Sequence, residues 1–261
     1  MITLVSVTYN AESTLLRTLQ SVECQTYSNI EHIIMDGGST DGTVSLAEAY
    51  KQRIGDRYSV IIVSEKDRGL YDAMNKALKI ATGDFICFLN AGDKLHSSSV
   101  LAQVADVAHS KSVGVVYGDT DIVDDNGNYI RSRRLTPPHI LTWCSFLHGM
   151  LVCHQSFYVN RNIAQEYDLS YRFSADFDWC IRCLKEGERK QLRNIYIKPS
   201  VNKGYASDSR IVLTDYLSEG MTTANHRASL KERFHIMANH YGLTKTIIQH
   251  IWFVLRTVIK R

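Results

Sequence analysis

Short apolar runs alternate with amphipathic stretches through the first hundred residues of the chain. The runs Ile2–Tyr9, Ile30–Asp36, Ser59–Ser64 and Asp84–Leu89 have the length and β-branched content of buried strands, and each is bounded by Gly, Asn, Asp or Ser. Between them, Ser13–Gln25, Gly42–Arg53 and Tyr71–Ala81 carry apolar residues at helical spacing. In the first of these, Leu15, Leu16, Leu19 and Val22 form an ordinary core-facing stripe. Strands that alternate with helices of this length predict βαβ units, hence an α/β fold: a Rossmann-like, mostly parallel sheet with helices on both faces.

The polar residues fall where such a sheet would bind a ligand. The predicted strands end in Thr8-Tyr9-Asn10, in Asp36-Gly37-Gly38-Ser39-Thr40-Asp41-Gly42, in Ser64-Glu65-Lys66-Asp67-Arg68-Gly69 and in Asn90-Ala91-Gly92-Asp93. In an open parallel sheet these ends share one edge, and ligands bind in the crevice outside it. A single Asp-Gly after a strand is only a turn; four small-and-acidic clusters at the same topological position predict one pocket. A nucleotide sugar asks for such residues. Asp36 could accept from a base N–H or a ribose hydroxyl, with glycines beside it to let backbone approach. The diphosphate needs charge neutralisation, and Asp93 is placed to hold Mg²⁺ or Mn²⁺, which prefer oxygen ligands.

Charge changes the picture for the rest of the chain. Residues 1–181 hold 15 basic and 21 acidic side chains and residues 182–261 hold 15 and 6, so the two parts carry about −6 and +9 within a net charge of +3. The basic end predicts contact with something anionic. No helix-turn-helix, zinc finger or aromatic RNA motif accompanies it, so no nucleic-acid partner is expected. In Leu243–Arg261, Lys245, Gln249, Arg256 and Lys260 share one helical stripe and apolar residues, Trp252 among them, cover the remainder. This pattern predicts either an interfacial helix on an anionic membrane or a helix docked on protein. The first residues lack the features of a secretory signal, and no apolar run reaches the roughly 18 residues of a membrane span. The expected location is therefore cytoplasmic, peripheral at the inner face of the membrane through 243–261. Six cysteines are expected as free thiols; Cys180 and Cys183 sit in a helical pattern with no second pair to complete a zinc site.

The strand-end clusters also carry a resemblance. Val7–Asn10 (V-T-Y-N), Met35–Thr43 (M-D-G-G-S-T-D-G-T), Ser64–Ala77 (S-E-K-D-R-G-L-Y-D-A-M-N-K-A) and Phe88–Asp93 (F-L-N-A-G-D) resemble, in order and spacing, the N-terminal half of the family 2 inverting glycosyltransferases. Y-G-D-T, C-H-Q-S-F and S-A-D-F-D-W-C-I-R, within 115–185, resemble that family's acceptor half more loosely. The resemblance implies the glycosyltransferase A fold with a nucleotide-sugar-binding half at 1–110, an acceptor-binding half at 111–205 and a helical C-terminal segment at 206–261. It implies transfer, with inversion, from a nucleotide-diphosphate sugar, a UDP-sugar first, to a hydroxyl of a glycan or lipid-linked acceptor. Donor contacts fall on Thr8, Tyr9, Asn10, Asp36, Gly38, Ser39, Asp67, Lys76, Asn90, Ala91 and Gly92, and the metal on Asp93.

Several positions depart from the family pattern. Its aspartates before Asp93 are Ala91 and Gly92 here, and an arginine common in the third motif is Met74, which leaves Lys76 and Arg68 as candidates to touch the diphosphate. Asp176 aligns with the family's base, after Ala175 in place of a glutamate. Asp178, two residues on, lies off the same helical face and is assigned to the loop or the acceptor. His148 and His154 are candidates for a further metal ligand or a phosphate donor, and Gly204–Ser209 occupies the place of a loop that orders over the donor. A non-catalytic nucleotide-sugar binder stays open as an alternative, as does a sugar nucleotidyltransferase. The latter would carry a glycine-rich phosphate loop after the first strand, where Val7-Thr8-Tyr9-Asn10-Ala11-Glu12 has none.

Overall fold

A computed structural model describes residues 1–110, 112–197, 211–218 and 225–259, with side chains to residue 255. The loop 204–209 lies outside the described residues. Strands and helices alternate from the start: β1 (Ile2–Thr8), α1 (Glu12–Glu23), β2 (Ile30–Asp36), α2 (Thr43–Ile54), β3 (Ser59–Ser64), α3 (Leu70–Ile80) and β4 (Phe85–Phe88). These match the sequence expectation to within two or three residues at each end. β1 pairs in parallel with both β2 and β4, and β2 with β3. Alternate residues of β1 enter two separate cores: Val5 and Val7 on one face of the sheet, Ile2 and Leu4 on the other. Burial on both faces explains why these strands read as continuous apolar runs.

The later elements are β5 (Lys94–Leu95), α4 (Val100–Ala108), β6 (Val113–Tyr117), β7 (Asp119–Val123), β8 (Tyr129–Ser132), two 3₁₀ turns (Trp143–His148 and His154–Ser156), β9 (Phe157–Asn160), α5 (Ala175–Arg189), β10 (Arg193–Tyr196), β11 (Val212–Leu217), α6 (His226–Tyr241) and α7 (Leu243–Ile259). The main sheet has seven strands in the order β10-β6-β9-β4-β1-β2-β3, and β9 alone runs antiparallel to its neighbours β4 and β6. A second sheet, β5-β11-β7-β8, lies at the end of β4. Its strand β11 comes from the C-terminal segment, where the sequence pattern predicts only helices; six residues interrupted by Asp215 give too short an apolar signal to read as a strand.

The C-terminal helices are fastened to the start of α5. The Glu232 carboxylate on α6 accepts the backbone N–H groups of Arg172, Phe173 and Ser174 at 2.8 to 2.9 Å. Ser229 and Ser174 share a hydroxyl hydrogen bond at 2.8 Å, and His240 Nε2 bonds Asp178 at 2.7 Å. α6 thus satisfies the Ser174 N-cap amide, which a helix N-terminus otherwise leaves unpaired, together with the two loop amides before it.

Candidate active site

Four strand tips surround one cavity of about 980 Å³, into which Thr8, Tyr9, Asn10, Gly38, Asp67, Asn90, Ala91, Asp93, His154 and Asp176 all face. The convergence begins with two loops locked together. Asn10 has φ of +46°, a left-handed conformation that asparagine tolerates better than most residues. In that posture its side-chain oxygen accepts the Thr40 N–H at 2.9 Å, and its own N–H reaches Ser39 Oγ at 2.8 Å. Tyr9 is left with its ring two-thirds exposed at the mouth of the cavity.

Asp36 does not present its carboxylate to a ligand, contrary to the expectation from its place after β2. It is 1% exposed and accepts from Thr8 Oγ1 at 3.1 Å, Ser64 Oγ at 2.6 Å, Gly38 N at 3.1 Å, Ser39 N at 2.9 Å and Ser39 Oγ. A carboxylate offers about four lone-pair directions, and all are filled. Burial raises its pKa, but the donors from Ser39, Ser64 and Thr8 outweigh that effect and hold the group below the usual carboxylate range. Asp36 and Ser39 therefore shape the loop from beneath, and Gly38, at φ of +84°, turns it.

The carboxylate that faces the cavity from this side is Asp67. One oxygen accepts the Gly69 N–H at 2.8 Å, and the other lies 2.6 Å from where a Cβ on Gly37 would stand, beside the Tyr9 ring. Only a residue without a side chain at position 37 leaves it that room.

Asp93 ends the β4 turn, shaped by Gly92 at φ of +99° and by Thr18 Oγ1, which accepts the Gly92 N–H at 3.0 Å and donates to the Asp93 carbonyl at 2.6 Å. A side chain at Gly92 would stand 2.8 Å from the Leu217 side chain of β11, so this turn packs its bare backbone against that residue. The Asp93 carboxylate is 4% exposed, and its hydrogen bonds are from Leu217 N at 3.0 Å and Gln155 Nε2 at 2.9 Å. Burial pushes its pKa up to about 6, against the lowering effects of Leu217, Gln155, His154 and Arg17. Among the described residues this buried carboxylate has two neutral donors and no ion pair, and it is under-compensated. Two more polar atoms near it, Asn90 Oδ1 and His154 Nε2, are buried without a hydrogen-bond partner among the described residues. An oxygen, an imidazole nitrogen and a carboxylate around one cavity suit Mn²⁺ well and Mg²⁺ acceptably.

Opposite, Asp176 occupies the first turn of α5, where the helix dipole favours an anion. Tyr71 Oη donates to its Oδ1 at 3.2 Å, and His154 Nδ1 lies 3.3 Å from its Oδ2. Burial raises the pKa of Asp176, but His154 and the nearby Arg233 more than offset it, so the group is ionised at neutral pH. His154 thus has one ring nitrogen toward Asp176, while the other has no hydrogen-bond partner among the described residues.

Other residues singled out in the sequence are placed elsewhere. Lys76 is outside the cavity lining, its ammonium held by Glu65 at 2.8 Å and the Lys66 carbonyl at 2.8 Å. Arg68 pairs with Asp72 and is largely exposed. Asp178 faces away, bound to Arg182 at 2.6 Å and His240 at 2.7 Å. His148 Nδ1 contacts Gln249 Nε2 of α7 at 3.3 Å and lines no part of the cavity. Gly92 acts through the turn and Ser39 through Asp36. Among the described residues, the Lys and Arg side chains that face the cavity are Lys66, Arg133 and Arg233, none of them picked out in the sequence. Gln155 adjoins His154 in the C-H-Q-S-F motif and was open to recognition; Arg233 lies on α6, where no motif marks it.

A cavity at the tips of a mostly parallel sheet, with the elements from β6 to α5 completing its wall, is the architecture of the glycosyltransferase A fold, and the enzyme is a glycosyltransferase. Residues 3–168 match the model described as Glycosyl transferase family 2, and the chain belongs to that family. Over 187 residues it is 33% identical to a PGL/p-HBAD biosynthesis glycosyltransferase of Mycobacterium bovis, covering 70% of this chain and 69% of the relative. It is 28% identical over 193 residues to the amylovoran biosynthesis glycosyltransferase AmsB of Erwinia amylovora, covering 69% of this chain and 62% of the relative. Among solved structures, Staphylococcus aureus TarS 1–349 in complex with UDP-GlcNAc superposes with a TM-score of 0.67 at 15% identity, over 97% of this chain and 73% of that one. The mannosyltransferase PcManGT of Pyrobaculum calidifontis, in complex with GDP-Man and Mn²⁺, gives 0.61 at 17% identity, over 95% and 73%. At these identities the structures support the fold alone.

Proposed function

We propose that the protein is a metal-assisted, inverting glycosyltransferase that moves a sugar from a nucleotide-diphosphate donor, a UDP-sugar first, to a hydroxyl of a glycan or lipid-linked acceptor. The observation that carries the reading is that Asp93 and Asp176, distant in sequence, line one cavity together with His154, which contacts Asp176. Inversion requires the attacking hydroxyl and the departing diphosphate on opposite faces of the anomeric carbon, and two carboxylates from separate elements of one cavity are suited to that division of labour.

On the donor side, Tyr9 offers an exposed ring for the base, and Asp67, in place of the occupied Asp36, offers the acceptor for a base or ribose donor. Lys66 and Arg133 bring positive charge for the diphosphate. Asp93, His154 and Asn90 would hold Mg²⁺ or Mn²⁺; when bound, the ion neutralises the charge that develops on the leaving diphosphate. The complexes of neighbours with UDP-GlcNAc, and with GDP-Man and Mn²⁺, are in keeping with this choice of ligands.

On the acceptor side, Asp176 takes the hydroxyl proton as the new bond to the anomeric carbon forms and the bond to the diphosphate breaks. Its ionised state suits a base, and Tyr71 and His154 fix its orientation. Asp176→Asn is expected to lower sugar transfer by about 10²–10⁴-fold while leaving donor binding, read by thermal stabilisation with UDP- and GDP-sugars and Mn²⁺, within about twofold. Undiminished transfer by this variant would refute the assignment of the base; stabilisation by every donor with no transfer in the unmodified protein would favour a non-catalytic binder.

A further inference from the structure

α7 is folded with its polar side inward. Thr246 and Gln249 are buried against the protein, and His250 packs on Phe234 with ring centroids 5.0 Å apart. Gln249, grouped with Lys245 in the sequence stripe, thus belongs to the protein-facing side. The opposite arc carries Ile247, Ile248, Ile251, Trp252, Val254 and Leu255, each 44 to 63% exposed. A helix on a water-soluble surface normally shows the reverse order, and a contiguous exposed apolar face marks an interaction site.

The composition of 243–261 selects the occupant. Its charged residues are Lys245, Arg256, Lys260 and Arg261, with no acid among them, which complements an anionic surface and disfavours stacking against a second copy of the same helix. Trp252 suits the headgroup boundary. Among the described residues no helix is long and apolar enough to cross a membrane, so the helix would lie on the surface.

We propose that the α6–α7 hairpin docks this face on an anionic lipid surface and that docking is transmitted to the active site through α6. The route is physical. α6 holds the loop before Asp176 through Glu232, links Ser229 to Ser174, and lays the Arg233 guanidinium over the Phe177 ring at 5.8 Å. Securing α6 fixes the first turn of α5 and the cation beside Asp176. The transmission step rests on the glycosyltransferase reading; the docking step stands without it.

The full-length protein and the triple variant Ile247→Gln, Ile251→Gln, Trp252→Gln would be sedimented with phosphatidylglycerol-containing vesicles and with phosphatidylcholine vesicles. The substituted positions are exposed, so an unchanged Tm is expected. The unmodified protein should partition onto anionic vesicles about tenfold more strongly than onto zwitterionic ones, and the variant should lose about tenfold of that binding. Equal binding by the two proteins, or a lipid-free dimer that the triple variant dissolves in analytical ultracentrifugation, would overturn docking. For transmission, release of nucleoside diphosphate from a donor should rise severalfold with anionic vesicles in the unmodified protein only. Vesicle binding without that rise would overturn transmission. Absence of donor turnover under every condition would instead count against the enzymatic reading, with docking judged by sedimentation.

Discussion

The tips of β2 and β4 sit two strands apart in one sheet, and each ends in a buried aspartate, yet they do opposite work. Asp36 is surrounded by five donors and lies below its ordinary pKa; Asp93 has two donors and rises to about 6. The difference is in what surrounds the charge, since both are almost fully buried. Around Asp36 the chain supplies Thr8, Ser39 and Ser64 hydroxyls, which complete an anion within the protein. Around Asp93 the described residues supply Leu217 N–H and one amide, and among them His154 Nε2 and Asn90 Oδ1 find no hydrogen-bond partner. A saturated carboxylate is structure, and an under-compensated one beside a cavity is a place for a cation.

Replacing Asp93 tests that contrast most severely. Asp93→Asn should lower transfer by about 10³-fold, since charge stabilisation by a bound metal is worth several kcal/mol. The same change should stabilise the ligand-free protein at neutral pH. A carboxyl whose folded pKa is raised favours folding when protonated, so its contribution is greatest below the unfolded pKa near 4 and declines as pH rises through 6. The ionised group therefore costs up to about 3 kcal/mol at pH 7, and loss of a matched acceptor in the variant trims the gain to about 1–2 kcal/mol. Thermal melts from about pH 3.5 to about pH 7.5 should show a fall in stability across roughly pH 4–6 that Asp93→Asn flattens. An identical pH profile in both proteins would show that Asp93 is already compensated, and the contrast with Asp36 would vanish.

Asp36 should behave in the opposite sense. Asp36→Ala strands three hydroxyls and two N–H groups, and partial replacement by water leaves an expected loss of about 3 kcal/mol. Because its folded pKa is depressed, the stability it provides is present above the unfolded pKa and lost as pH falls below about 4. Denaturant unfolding at pH 7 measures the loss. If stability were unchanged and donor affinity alone collapsed, Asp36 would be a ligand contact after all.

The contrast also explains what the sequence disclosed. Strand-end clustering was legible because β1 to β4 are apolar runs with small polar residues at the tips, and parallel topology forces those tips together. Asp93, Asp176, His154 and the Tyr9-Asn10 loop could be brought to one cavity by motif and topology. Which aspartate would be filled by its neighbours could not: the donors to Asp36 come from positions 8, 38, 39 and 64, and nothing in an Asp-Gly-Gly-Ser string states that Ser64 closes the shell. Lys76 reads as a phosphate cation in a linear motif, but helical geometry turns it toward Glu65. Arg233 arrives through tertiary docking of α6, a long-range event without a local signature. The short strands of the second sheet, broken by Asp119, Asp121 and Asp215, are hidden for a related reason: their apolar runs are too brief to show a period.

The mildest test acts beside Asp36 without touching its shell. A Cβ at Gly37 would stand 2.6 Å from an Asp67 oxygen and 3.4 Å from the Tyr9 ring, while the backbone there needs no left-handed turn. Gly37→Ala should therefore fold with little loss, because Asp67 is the end of a side chain that can swing aside. Swinging it aside moves the carboxylate assigned to the base or ribose, so the donor KM should rise by about tenfold, one good charged hydrogen bond at about 1.4 kcal/mol, with kcat nearly constant. Asp67→Ala alone should give a similar KM, and the double variant should be no worse than either single one, since both remove one interaction. Additive losses in the cycle would mean that Gly37 serves close backbone approach to the donor, and that the nucleotide is read from the tip of β2 itself.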